Sequence, residues 1–268
     1  MQSRTLKSAS LALTLAVAGS CFAQTTSSAQ TAPARPAVQP AAAPEVKLDT
    51  SVIYARGSYG LPTDTDIWMA LVAPTYETSD YRLQLTLHYL WLKGPASAAG
   101  GVGATAASRS ESGIGDVAVT GTWKLAPANG WYPSVGAKIK FPTADDAKGL
   151  GTGQTDASFQ FDVAKKLGDI TPYATFGYQF LGRSTLYPMK DGAFATVGFL
   201  TPVSDEGTFG IGGNWRQPTF TGGKSAEELM LFVQQKISDS SHFQIFALHG
   251  FTDASPDFAL GATLGWKW

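Results

Sequence analysis

A single cysteine in 268 residues leaves no disulfide within the chain. That residue, Cys21, lies in an amino-terminal stretch of secretory type, so a chain cut after Ala23 keeps no thiol and no thiolate chemistry. Charge is scarce as well. Asp, Glu, Lys and Arg make up 15% of the chain, below the level usual in soluble domains. Neither sign dominates: without Arg4 and Lys7 of the leader, 18 basic residues stand against 21 acidic ones, a formal net of −3. That balance excludes the basic footprint nucleic acid requires. Long apolar runs are missing too. No segment after the leader reaches the ~18 consecutive apolar residues of a spanning helix. A membrane protein without such helices must be a closed barrel, because lipid satisfies no open backbone groups.

What is present fits a barrel. The chain holds 29 glycines and 12% aromatic residues. In the last eleven residues, Phe258, Leu260, Ala262, Leu264, Trp266 and Trp268 alternate with Ala259, Gly261, Thr263, Gly265 and Lys267. A strand sends successive side chains to opposite faces, so this is a strand with one large apolar face ending in aromatics. An exposed aromatic end is costly in water and natural at the aromatic girdle of a membrane barrel.

Three segments are expected. Residues 1–23 read as a signal peptide, with Arg4 and Lys7 before a short apolar core at 11–17 and Cys21-Phe-Ala23 as a cleavage site. Acylation of Cys21 is the competing reading, against which Ala18 stands where a larger aliphatic residue is usual. Residues 24–48, rich in Ala and Pro, read as a flexible periplasmic segment that can bury no core. Residues 49–268 read as an all-β antiparallel transmembrane β-barrel of about 12 strands, near 50–59, 65–76, 80–93, 113–125, 131–141, 156–166, 170–181, 191–202, 207–217, 227–238, 241–251 and 257–268. Short connections after the even strands alternate with long ones such as 94–112 and 142–155. Outer-membrane barrels have short periplasmic turns and long extracellular loops, which puts both chain ends in the periplasm.

The alternation also assigns faces. Tyr81, Leu83, Leu85, Leu87, Tyr89 and Trp91 are expected toward lipid, with Arg82, Gln84, Thr86 and His88 toward the lumen. Asp116, Lys124, Lys138, Lys140, Asp162 and Arg216 are likewise inward, where they avoid the ~2–4 kcal/mol cost of a charge facing mid-bilayer lipid. Two segments resist assignment: Leu229-Met-Leu-Phe232 is apolar throughout, and Phe246 and Leu248 turn inward if Phe243 and Ile245 face out. Either the lumen has an apolar patch or the register slips at a bulge.

Several runs resemble one family. Lys140-Phe-Pro-Thr-Ala-Asp145, Lys148-Gly-Leu-Gly-Thr-Gly153, Thr155-Asp156, Ser112-Gly-Ile-Gly-Asp116, Gly177-Tyr178, and Gly250 followed by Ser255-Pro-Asp257 are similar to the signature of the outer-membrane transporters of the MetA pathway of phenol degradation. The likeness spans nearly all of 50–268, with His88 where the family often has proline and Trp268 where phenylalanine is more usual. It implies the outer membrane of a Gram-negative bacterium, a surrounding of outer-membrane lipid, insertion by the barrel assembly machinery, and passage of small aromatic or hydrophobic compounds.

Enzymatic and cofactor motifs are weak. Gly149-Leu-Gly-Thr-Gly lacks the Lys-Ser/Thr ending of a phosphate loop, and Gly100-Gly-Val-Gly103 precedes no helix pattern. Asp145, Asp146 and Asp156 could gather on a hard cation, but their spacing is not that of an EF-hand. No cofactor and no metal is expected. Of the histidines, only His249 falls where a lipid-modifying hydrolase would need it, with no serine on an assigned outer face beside it. The expectation is therefore a non-enzymatic channel that passes a small-molecule solute by diffusion, lined by Arg82, His88, Asp116, Lys138, Lys140, Asp162 and Arg216. These charges either select the solute or pair across the lumen, and a paired network can itself be the gate. A non-conducting surface barrel and an outer-membrane lipid-modifying enzyme are the alternatives.

Overall fold

The computed structural model describes residues 44–105 and 108–268, so the expected leader and most of the expected 24–48 segment lie outside the described residues. The strands are β1 (Glu45–Gly57), β2 (Thr65–Glu77), β3 (Tyr81–Gly94), β4 (Arg109–Ile114), β5 (Val117–Lys124), β6 (Trp131–Phe141), β7 (Asp156–Lys165), β8 (Thr171–Phe180), β9 (Gly192–Pro202), β10 (Gly207–Arg216), β11 (Ala226–Ser238), β12 (Ser241–Gly250) and β13 (Phe258–Lys267). Apart from β4 and β5, which both pair with β3, each pairs antiparallel with its sequence neighbour, and the circuit closes through β1 and β13. β4 and β5 are two halves of one stave, β4 lying along Tyr89–Gly94 of β3 and β5 along Tyr81–Thr86. The result is a closed barrel of twelve staves, in which β4, toward the long-loop end, pairs with β3 alone.

Side-chain parity organises the wall. On β2, Thr65, Ile67, Met69, Leu71, Ala73, Thr75 and Glu77 are buried inside, while Trp68, Val72 and Tyr76 are exposed outside. Phe159 and Phe161 on β7 and Val135, Ile139 and Phe141 on β6 stand outward in the same way. Aromatic contacts concentrate near the two rims. Tyr54 with Trp68 (4.9 Å between ring centroids) and Tyr89 with Trp91 (4.6 Å) lie toward the long-loop end. Tyr81 over Trp123 (6.2 Å) and Lys165 over Trp131 (4.6 Å) lie toward the other. Two such belts are what a bilayer demands of a barrel wall.

The ends differ. One rim carries the short turns 78–80, 125–130, 166–170, 203–206 and 239–240, together with the seam where Trp268 N donates to Val46 O at 2.9 Å. Asn129 and Gly130, at φ +51° and +78°, make a turn whose twist suits the flanking strands. The other rim carries 58–64, 95–105, 142–155, 181–191, 217–225 and 251–257.

Several boundaries depart from expectation. β1 begins at Glu45, so residues 45–48 belong to the wall rather than to the preceding segment, and Tyr59 lies past its end at φ +51°. The expected 94–112 loop is shorter, because β4 starts at Arg109. The fourth stave breaks at Gly115-Asp116, where Gly115 N donates to His88 O at 2.9 Å and a Cβ would collide with the His88 ring. Both options for the ambiguous strands occur: the register shifts between Lys236 and Ser238, and the apolar patch inside the lumen is real.

Candidate functional site: the barrel lumen

The lumen is divided lengthwise. At mid-height and toward the long-loop rim its wall from β11 around through β13 to β3 is largely apolar, with Met230 and Phe232, Phe246 and Leu248, Ala259, Ile53, Ile67, Met69, Leu71, Leu90 and Leu92 buried inward, whereas toward the short-turn rim the same staves carry Gln234, Gln244, Thr263, Asp49, Glu77 and Gln84. They belong to one continuous cluster that also takes in Tyr173 and Leu200. Two rings lie flat because their cross-strand partners are glycines. Phe232 pairs with Gly210 and Phe246 with Gly261, and a Cβ at Gly261 would come within 2.5 Å of Phe246 Cζ. Folding the rings over glycine keeps them against the wall instead of across the bore.

The facing wall is polar. In a ring of twelve staves the broken β4/β5 stave stands opposite β11. From β5 to β8 the inward polar side chains include Thr120, Thr122, Lys138, Lys140, Asp156, Ser158, Gln160, Asp162, Thr171, Thr175 and Gln179. Thr86, His88, Thr120, Lys138 and Gln160 are only half-buried, so solvent reaches an arc of neighbouring polar side chains inside the closed wall.

All seven residues singled out from the sequence project inward, but they divide among four places. Arg82 lies near the short-turn rim beside its register partner Glu77. Asp162 is at mid-height, accepting from Thr175 Oγ1 at 2.7 Å and from Gln160 Nε2 at 2.9 Å. His88, Asp116, Lys138 and Lys140 gather toward the long-loop rim. Neither ring nitrogen of His88 has a hydrogen-bond partner. Arg216 stands apart on β10, diagonal to Glu228 on β11. Among the described residues the inward cations Lys47, Arg82, Arg109, Lys124, Lys138, Lys140, Arg216 and Lys236 are nearly balanced by the inward anions Asp49, Glu77, Glu111, Asp116, Asp156, Asp162 and Glu228. The wall therefore has little net charge, unlike the charged rings of ion-selective pores.

Two ionic clusters stand out. Near the short-turn rim Glu77 takes Lys47 at 2.7 Å through Oε2 and Lys124 through Oε1, and Lys124 also donates to Thr78 O at 2.9 Å. Lys47 and Glu77 escaped the sequence reading because both fell outside its strand boundaries; carrying the parity of the first strand three residues back and of the second one residue on would have found them. Toward the other rim Lys140 Nζ reaches Asp116 Oδ2 and Asp156 Oδ2, each at 2.8 Å, and donates to Thr152 Oγ1 at 3.0 Å. Asp116 Oδ1 accepts from Ala144 N at 3.0 Å and Asp156 Oδ1 from Gly182 N at 2.9 Å. The glycine-rich runs of 112–116 and 140–156 thus meet at one lysine.

Above this knot the long loops form a cap. Ala98 N donates to Gly149 O at 2.7 Å, and Tyr187 OH donates to Asp146 O at 3.1 Å. Ala99, Val102, Leu181, Tyr187 and Met189 make a small core separate from that of the lumen. Burial there pushes the Tyr187 hydroxyl above its ordinary pKa. The aspartates weighed as a cation site go to different partners: Asp156 to Lys140, Asp145 Oδ1 to Lys148 N at 3.2 Å. His249 Nδ1 lies 2.8 Å from Asp257 O, and its ring meets Phe251 edge-on.

Residues 55–268 match the profile of the family described as "Putative MetA-pathway of phenol degradation". No curated protein matches the chain. Among solved structures, the COG4313 outer membrane channel from Pseudomonas putida F1 superimposes with a TM-score of 0.61 at 13% identity, covering 88% of this chain and 100% of that one. The NanC porin follows with a TM-score of 0.53 at 11% identity, covering 81% and 97%. At these identities the likeness is one of fold: the barrel is of the outer-membrane type.

Proposed function

The chain belongs to the family of the MetA pathway of phenol degradation, and from that premise we propose that it is a channel of the Gram-negative outer membrane, passing small aromatic or hydrophobic compounds by diffusion. The carrying observation is the divided lumen, in which a solvent-reached polar arc faces an apolar wall across a closed barrel. A solute with one apolar face can lie against Phe232 and Phe246 while its polar groups trade water for Thr86, Thr120 or Gln160. The nearly balanced wall charge favours uncharged solutes over ions of either sign. Insertion by the barrel assembly machinery, and a chain that carries no catalytic activity, belong to the same reading.

Planar-bilayer recording and liposome swelling on the purified barrel test it. Discrete conductance steps are expected, with faster swelling in a small neutral aromatic alcohol than in a sugar of equal mass. A barrel that keeps its heat-modifiable mobility yet neither conducts nor swells in either solute would rule out a channel and leave the surface-barrel reading.

A further inference from the structure

We propose that Lys140 is the latch of an extracellular gate: its ammonium ties the loops 142–155 and 181–191 to the barrel wall, and solute passes when that tie is released. This rests on the channel reading above.

An ammonium has three donors, and Lys140 uses all of them, on Asp116, Asp156 and Thr152. None is left for a passing solute, so this lysine holds structure rather than cargo. The second oxygen of each carboxylate carries the tie onward, from Asp116 to Ala144 N and from Asp156 to Gly182 N. Loop 142–155 is therefore held at both Ala144 and Thr152, and loop 181–191 at its first turn. Residues 95–105 are attached indirectly, through Ala98 N on Gly149 O. The fit is close: a Cβ at Gly151 would stand 2.7 Å from Ala144 Cβ and 2.8 Å from Asp116 Oδ1.

Removing the ammonium leaves two carboxylates facing each other where their side chains are 7% and 11% exposed. Like charges so placed repel, and each regains hydration only by leaving. The loop groups bound to them have no ladder to hold them back. Part of the cap has its own core, in Ala99, Val102, Leu181, Tyr187 and Met189, while Ala98, Ala144 and Leu150 pack into the lumen cluster and are uncovered when the cap lifts.

The test uses the full chain with Val102→Cys, whose parent side chain is buried in the cap core and whose only native cysteine is Cys21. Proteoliposomes are treated with a polyethylene-glycol maleimide, and the parent chain supplies the Cys21 baseline. Adding Lys140→Met is expected to speed labelling by about tenfold or more, the signature of a local opening made easy, and to raise single-channel conductance. Gly151→Ala keeps every charged group and should act in the same direction, more weakly. Heat-modifiable mobility confirms the barrel in each case. Labelling unchanged by Lys140→Met in a folded barrel overturns the latch, as does fast labelling of Val102→Cys alone. Where Lys140→Met fails to fold, unchanged labelling in Gly151→Ala overturns it equally. Faster labelling with no current in any variant keeps the latch and sinks the channel reading.

Discussion

Glu77 and Lys140 each sit between two opposite charges inside the same lumen, but Glu77 joins stave to stave where Lys140 joins stave to loop. Glu77 at the end of β2 holds Lys47 of β1 and Lys124 of β5, reaching across β3, and Arg82 of β3 is its register partner. Its charged partners are fixed in backbone ladders, so the cluster can only open if the barrel does. Lys140 holds two aspartates fixed to the wall, but their outer oxygens and Thr152 belong to loop contacts with few hydrogen bonds of their own. Local opening draws on such sparsely bonded regions first. The same ion chemistry thus serves as a staple at one end and as a catch at the other.

The largest effect expected from breaking this contrast is at the staple. Glu77→Ala leaves Lys124 without its anion and Lys47 with only the more exposed Glu45 at 3.2 Å, a loss of up to about 3–5 kcal/mol for a buried pair that loses one partner. Urea titration of the folded, heat-modifiable species should show the unfolding free energy falling by that amount, as a lower midpoint at unchanged slope. Maleimide labelling of Val102→Cys should stay at its parental rate, because the cap is tied elsewhere. Faster cap labelling in Glu77→Ala would mean that the two clusters are one coupled system, and the contrast between staple and catch would fail.

A second effect, somewhat smaller, checks the parity on which both clusters depend. β6 carries Lys138 and Lys140 inward, whereas Val135 near its middle is 42% exposed on the outer wall. Val135→Lys adds the same charge to the same strand and should cost about 2–4 kcal/mol at mid-bilayer depth. Thr120→Lys, facing the half-buried arc of the lumen, should cost clearly less. Equal losses in refolding titrations into lipid vesicles would mean that β6 does not present Val135 to lipid.

How far these features could be read from the sequence depended on contrast between faces. Lys138 and Lys140 alternate with Ala137, Ile139 and Phe141, so their direction was legible. Met230, Phe232, Phe246 and Leu248 alternate with residues just as apolar, and parity says nothing when both faces share one chemistry. Their inward placement became readable only through the glycines opposite, Gly210 and Gly261, which the register reveals and a linear reading does not. The break at Gly115-Asp116 read as part of an unbroken strand because apolar alternation resumes at Val117. The cap was illegible for another reason. Ala98, Gly149, Asp146 and Tyr187 meet from three loops with no periodic pattern, and the pairing of Lys140 with Asp116 and Asp156 depends on tertiary closure of the wall.

The smallest expected effect separates burial from mere connection. Lys224 and Asp253 join the loops 217–225 and 251–257 at 2.5 Å, much as Lys140 joins its loops to the wall, but their side chains are 64% and 47% exposed. Water and salt screen such a pair, and holding two long side chains together offsets most of what remains. Neither carboxylate nor ammonium is stranded when its partner goes, since solvent replaces it. Lys224→Ala should therefore leave the urea midpoint and the Val102→Cys labelling rate unchanged within error. Should it speed labelling as much as Lys140→Met, any loop-bridging charge would serve as a latch, and the burial of Lys140 between two carboxylates would not be what closes the cap.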